Sequence, residues 1–273
     1  MAYLKTYFMY QDRLRSLQRQ GLDPLNEFGI KDNNPTAVFT NGPVMLGIGT
    51  KKPPYGVAIA GLSGSSDNLL RVGITVDNNY GWKGKIKKIN QVIMVVPEEL
   101  EIVNSACSHV FNKYADSTNL DSCVKDYIDY NSRPFIECAD KVWQEGGDYF
   151  DKYDKEHLAQ AKINNNVKTC VRKVCTKEYE GYIGYALNTA FSSKGLEDIE
   201  NYKTFSCKFK VRPGTEQDLL GTAPVSVRYL RAKVRYDYEI EKSTSVRIKK
   251  DYNKYGSGIM DHSQSLYSDP QKI

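Results

Sequence analysis

Histidine is scarce in this chain, three residues among 273, and the scarcity bears on catalysis. Histidine is the usual general base at neutral pH, yet His109, His157 and His262 lie in separate segments with no metal-ligand spacing between them. A G-x-S-x-G nucleophile elbow is missing, as is the G-x-x-x-x-G-K-[ST] phosphate loop. Gly47 and Gly49 followed by Lys51 and Lys52 come nearest to the latter, but Pro53-Pro54 stands where its helix would begin. Asp148, Asp151 and Asp154 lack the ordered D-x-D-x-D-G of a calcium loop, and a solvated helix face is the simpler reading. These absences lead us to expect a protein that is not an enzyme and that carries neither cofactor nor metal. No apolar run approaches the ~18 residues of a membrane helix, so membrane association would go through an anchor not present in this chain. There is no N-x-S/T glycosylation sequon, and Lys5, Arg13, Arg15 and Arg19 interrupt the first twenty residues where an export signal would have its apolar stretch.

Cysteine and tyrosine, by contrast, are plentiful, at six and 20. Cys107, Cys123, Cys138, Cys170, Cys175 and Cys207 all fall in one stretch, and the only close pair, Cys170 and Cys175, has four residues between its members and no histidine at ligand spacing. Zinc sites need tighter pairs, so disulfides and an oxidising, extracellular or cell-surface location are expected. That location requires an export signal or anchor separate from the sequence given. The net charge of +5 is unevenly spread: residues 107–202 hold 12 Lys and Arg against 16 Asp and Glu, whereas residues 203–250 hold 12 against five. An acidic middle beside a basic flank points to contact between the two segments or between neighbouring copies.

Residues 1–34 read as an amphipathic N-terminal helix and linker, with Tyr7, Tyr10, Leu14 and Leu17 at helical spacing and Gly21 and Pro24 as the stop. Period-two alternation then marks strands. Leu70, Val72, Ile74 and Val76 form one, and Ile86, Ile89 and Val92 to Val96 another, read as an antiparallel pair around the turn at Asn78 to Gly81. Phe205, Cys207, Phe209 and Val211 alternate with Ser206, Lys208, Lys210 and Arg212, and Leu230 to Ile240 alternate without a break with Arg231, Lys233, Arg235, Asp237, Glu239 and Glu241. After a turn at Lys242 and Ser243, Val246 and Ile248 resume the pattern.

Between these blocks the alternation stops. Phe135, Ile136, Ala139, Val142 and Trp143 have helical spacing; Tyr149, Phe150 and Tyr153 continue it beyond Gly146 and Gly147, and residues 167–190 suit a further helix. The expected fold is thus α+β: an antiparallel β-sandwich from residues 35–106 and 203–250, interrupted by a cysteine-rich, mainly helical insertion at 107–202, with a polar tail at 251–273. Six cysteines allow 15 connectivities, and sequence does not choose among them. The layout favours Cys107 with Cys207 closing the base of the insertion, and antiparallel helices favour Cys123 with Cys175 and Cys138 with Cys170.

Lys208, Lys210, Arg212, Arg231, Lys233 and Arg235 are the candidate basic binding face, which with interleaved tyrosines would suit an anionic polymer such as single-stranded nucleic acid or an acidic glycan. Against nucleic acid, Tyr236 and Tyr238 fall on the apolar side of their strand, and Asp237, Glu239 and Glu241 turn the charged row acidic. A solvated or edge-protecting face is the plainer reading.

The segments F-S-C-K-F-K-V (Phe205–Val211), L-L-G-T-A-P-V-S-V (Leu219–Val227) and R-A-K-V-R-Y-D-Y-E-I-E-K-S-T-S-V-R-I (Arg231–Ile248) resemble the last strands of immunoglobulin-like β-sandwich domains in archaeal secreted or membrane-anchored surface proteins. V-G-I-T-V-D-N-N-Y-G-W-K-G-K-I-K-K-I (Val72–Ile89) and V-P-E-E-L (Val96–Leu100) resemble their earlier strands, and Cys107 and Cys207 match a cysteine pair common in such domains. The resemblance covers about half the chain and carries no catalytic signature. It implies an immunoglobulin-like sandwich and a non-catalytic extracytoplasmic protein that works through contacts with other protein subunits, in adhesion or in self-assembly into a filament or surface layer.

Overall fold

The computed structural model describes residues 1–29, 38–40, 42–50, 56–59, 70–79, 82, 84–188, 196–223 and 225–240. The polar tail and the strand expected around Val246 and Ile248 lie outside the described residues.

In chain order the elements are β1 (Ala2–Tyr10), α1 (Gln11–Arg19), α2 (Pro24–Glu27), β2 (Val38–Phe39), β3 (Val44–Thr50), β4 (Gly56–Ile59), β5 (Leu70–Asn78), β6 (Lys85–Pro97) and β7 (Leu100–Val103). They continue with β8 (Phe111–Ala115), α3 (Asp121–Asp129), α4 (Arg133–Glu145), α5 (Lys155–Ile163), α6 (Asn165–Tyr179), β9 (Tyr182–Leu187), β10 (Glu197–Ile199), β11 (Tyr202–Val211), a short α7 (Glu216–Leu220) and β12 (Ser226–Glu239). The strands form two sheets. The first has the order β4-β1-β12-β6-β9-β8, with β10 also pairing β6; the second has the order β2-β3-β5-β11-β7. All the pairings are antiparallel except β1 with β4.

The class is α+β with two antiparallel sheets, and several of the sequence expectations need correction. Residues 2–10 are a strand, not the first half of a helix: Ala2, Leu4 and Phe8 pack into the core between the sheets, and the helix begins only at Gln11. The apparent helical stripe joined tyrosines of β1 to leucines of α1, two elements that meet at Tyr10. The strands at 70–78 and 85–97 are not hairpin partners either. β5 lies in the second sheet between β3 and β11, and β6 lies in the first between β12 and the β9–β10 edge. Alternation identifies a strand and its buried face but not its neighbour.

One apolar core fills the space between the sheets. Leu230 and Ala232 of β12 meet Val92, Met94 and Val96 of β6, Val72, Ile74 and Val76 of β5, and Phe205 and Phe209 of β11. The other face of the first sheet carries a second core beneath α3 to α6, where Ile93 and Val95 of β6 meet Cys123, Phe135, Ala139, Val171 and Tyr179. Residues 92–97 of β6 are buried without a break because both of their faces are covered. The layers therefore run helices, first sheet, second sheet.

The helical part spans Asp121 to Tyr179, and its flanks β8, β9 and β10 are strands of the first sheet. α4 starts at Ser132, whose side chain accepts from Phe135 N–H, and has Pro134 in its first turn. Asn164 ends α5 and caps α6, its Oδ1 accepting from Asn166 N–H at 2.8 Å and Val167 N–H at 3.3 Å. Residues 146–154, read from sequence as the start of another helix, are an irregular connection beyond Gly147, whose φ of 84° ends the helical path.

The six cysteines pair as Cys107–Cys207, Cys123–Cys175 and Cys138–Cys170. The first bonds the segment after β7 to β11, and the other two fasten α3 and α4 to α6. Closing loops of 100, 52 and 32 residues is worth about 4 kcal/mol each in the chain-entropy description.

Candidate functional site

The six candidate cations divide between the two sheets. Lys208 and Lys210 stand on β11 of the second sheet; Lys210 pairs with Glu101 at 3.3 Å, and Arg212, just beyond the strand, binds the carbonyls of Glu98 and Glu99 through its side chain and its backbone N–H. Arg231, Lys233 and Arg235 stand on β12 of the first sheet, facing the helical layer. No single face holds all six.

The second trio is enclosed in aromatic and acidic groups from that layer. Arg231 stacks over Tyr182 at 4.2 Å and donates to the Glu178 carbonyl at 2.9 Å. Lys233 pairs with the Glu178 carboxylate, donates to Tyr127 Oη at 3.1 Å, and lies 5.4 Å from the ring centres of both Tyr127 and Tyr179. Tyr127 in turn donates to Glu178 Oε2. Arg235 stacks on Tyr130 at 3.5 Å and donates to Gln91 Oε1 at 3.1 Å, with Asp126 at 3.9 Å. Tyr114 and Gln91 both donate to Asp126 Oδ2, at 2.5 and 2.7 Å. Gly184 lets these rings close up, since a Cβ there would stand 2.9 Å from Tyr179 Cε1 and 3.2 Å from Tyr114 Cδ1.

Burial sets the electrostatics of this seam. It lowers the Lys233 pKa despite the opposing pull of Glu178, and it raises the phenols of Tyr114, Tyr127 and Tyr179 far above their ordinary range, with Asp126 raising the first further and Glu178 the other two. The contact between acidic and basic segments is thus made inside the chain, by α3 and α6 against β12. Sequence reasoning read this row as solvent-facing because a charged row on a strand usually is; the tyrosines of α3 and α6 that cover it gave no local signal.

Among the described residues two faces stand out as open to partners. One is the connection between α4 and α5, where Tyr149 and Tyr153 are 78% and 82% exposed beside Asp148, Asp151 and Asp154. The segment is anchored between them: Phe150 is buried against Trp143 and His157, with ring centres 5.3 and 6.2 Å away, and His157 Nδ1 accepts from Asp151 N–H at 3.0 Å. His157 therefore has a packing and loop-holding role. The other face is the outer side of the second sheet, an open concavity of about 520 Å³ lined by Met45, Gly47, Gly49, Arg71, Gly73 and Ser206, with Asp77 at one end.

His109 packs on Phe205 at 5.1 Å, and Ser108 Oγ lies 2.9 Å from its Nδ1; burial and then Lys203 lower its pKa. His262 lies outside the described residues. Among the described residues no three His, Cys, Asp or Glu side chains are grouped to hold a metal ion, and no helix is long and apolar enough to cross a membrane. Compared with protein-family models, curated proteins and solved structures, the chain matches none.

Proposed function

We propose that this is a non-catalytic extracytoplasmic protein of the cell surface, acting through protein–protein contacts, with the two sheets serving as an immunoglobulin-like scaffold. The observation that carries the reading is the cross-linked helical platform: two disulfides fasten α3 and α4 to α6, and the same layer presents Tyr149 and Tyr153 almost fully exposed on an anchored connection. Rigid exposed tyrosine offers large contact area at low entropic cost, and disulfides persist outside the reducing cytosol. The alternative, a module for an anionic polymer, loses Arg231, Lys233 and Arg235 to internal partners.

The test is the intact mass of the protein from the cells that make it, before and after reduction and alkylation, with surface labelling by a membrane-impermeant reagent. Three bridges and labelling in intact cells are expected. Six free thiols, or no labelling until the cells are lysed, would remove the reading.

A further inference from the structure

We propose that the Asp148–Asp154 connection of one copy docks on the outer face of the second sheet of the next, building a head-to-tail assembly. This rests on the contact-protein reading above and adds its partner, a second copy, and the two faces involved. The connection belongs to the helical layer and the receiving face to the second sheet, so the contact joins unlike faces and is not a two-fold dimer.

The receiving face has an unusual floor. In register across β3, β5 and β11, Gly49 lies beside Gly73 and Gly73 beside Ser206, while Gly47 lies beside Thr75 and Thr75 beside Thr204. None of the three glycines has a left-handed φ. Among the described residues a Cβ at Gly49 would meet nothing within 4 Å, and at Gly47 and Gly73 its nearest neighbour would be 3.9 Å away. Neither backbone conformation nor packing against the described residues calls for glycine at these positions, although each costs about 0.5–1 kcal/mol relative to alanine. Strand glycines of this kind mark a close approach from outside, and aromatic rings are the side chains that cover sheet glycines. Tyr149 and Tyr153 are such rings, 78% and 82% exposed, with the Lys152 amine lying over the Tyr153 ring.

Charge selects the same partner. Arg71 and Lys208 are directly opposite on β5 and β11, and neither has an ion pair or hydrogen bond among the described residues. Like charges facing each other across a strand pair are destabilising, and the carboxylates of Asp148 and Asp151 beside the tyrosines would relieve them. At the other end of the floor Asp77 stands opposite Met45 and Tyr202, within the reach of a loop that also carries Lys152. The helical layer supplies acid and aromatic ring, and the sheet supplies cation and bare backbone.

Sedimentation velocity of the full chain over a range of concentrations at low salt tests this. The wild type should form a concentration-dependent series of oligomers. Gly49→Val, Tyr149→Ser with Tyr153→Ser, Arg71→Glu with Lys208→Glu, and Asp148→Lys with Asp151→Lys should each raise the concentration needed at least about tenfold, an energy of ~1.4 kcal/mol. Combining the two charge reversals in one chain should restore assembly. The tyrosine pair is largely solvent-facing, so its variant separates loss of contact from loss of fold, which unchanged circular dichroism verifies. A wild type that stays monomeric overturns the proposal while leaving the surface reading to its own thiol and labelling test. Assembly unmoved by all four variants overturns these faces as the interface.

Discussion

The two faces of the first sheet are both buried, by different chemistry. Towards the second sheet, β12 presents Leu230 and Ala232 to an apolar core; towards the helices, the same strand presents Arg231 to Tyr182 and the Glu178 carbonyl, and Lys233 and Arg235 to tyrosine and acid. The inner face gains from transfer of apolar surface out of water and tolerates any well-packed hydrophobe. The outer face depends on every ionic partner being present, because a charge left alone in low dielectric costs far more than the pair contributes. Burial of a charged row is therefore no guide to its contribution, which is decided by what covers it.

The sharpest way to break this contrast is to remove one partner at the seam. Glu178→Ala leaves Lys233 buried and unpaired, and urea unfolding should show a loss of about 3–5 kcal/mol, comparable to the ~2–5 kcal/mol expected for Leu230→Ala on the inner face. The two should part company on repair. Glu178→Leu with Lys233→Met should return to within about 1 kcal/mol of wild type. If the double variant is as unstable as Glu178→Ala, the seam is held by specific ionic geometry and not by satisfaction of charge.

Next in size are the cross-links of the helical layer. Replacing Cys138 and Cys170 together by serine should cost about 2–4 kcal/mol in the same assay, and limited proteolysis should then cut the α4–α5 connection before the sheets. Smaller is Arg235→Lys, which keeps the charge but gives up the flat stack on Tyr130 and should cost about 1 kcal/mol.

An effect of similar size is acidic. Burial alone would raise the carboxyl of Asp116, but Lys113, the Thr118 hydroxyl and the N–H groups of Asn119 and Thr118 hold it at about 2. Its folded pKa lies below its unfolded value, so its stabilisation is present above about pH 4 and is lost as pH falls towards 2. Unfolding free energies from urea titrations at pH 5, 3 and 2 should fall by on the order of 1–2 kcal/mol from this group, and Asp116→Ala should remove that part of the decline.

Much of the inner architecture was legible from sequence because period-two alternation reports one apolar face directly: β5, β6, β11 and β12 stand close to where Leu70, Ile86, Phe205 and Leu230 began their runs. Their partners were not legible, since nothing local states that β5 and β6 belong to different sheets. β8 to β10 were missed because short strands such as Tyr182–Leu187, covered on both sides in part, do not alternate cleanly. The seam was hidden for a related reason. The cations stand on β12, whereas the rings and carboxylates that enclose them come mostly from α3 and α6, some 50 to 110 residues away. Tyr149 and Tyr153 also gave no sign of their exposure, because Phe150 between them is the one that packs.

Lysine reactivity tests the covered seam most directly. Under native conditions an amine acylating reagent, read by peptide mass spectrometry, should modify Lys208 on the open sheet at the rate of a surface lysine and leave Lys233 untouched until denaturant unfolds the protein. Equal modification of Lys208 and Lys233 in the folded protein would contradict it, and would return the charged row of β12 to solvent.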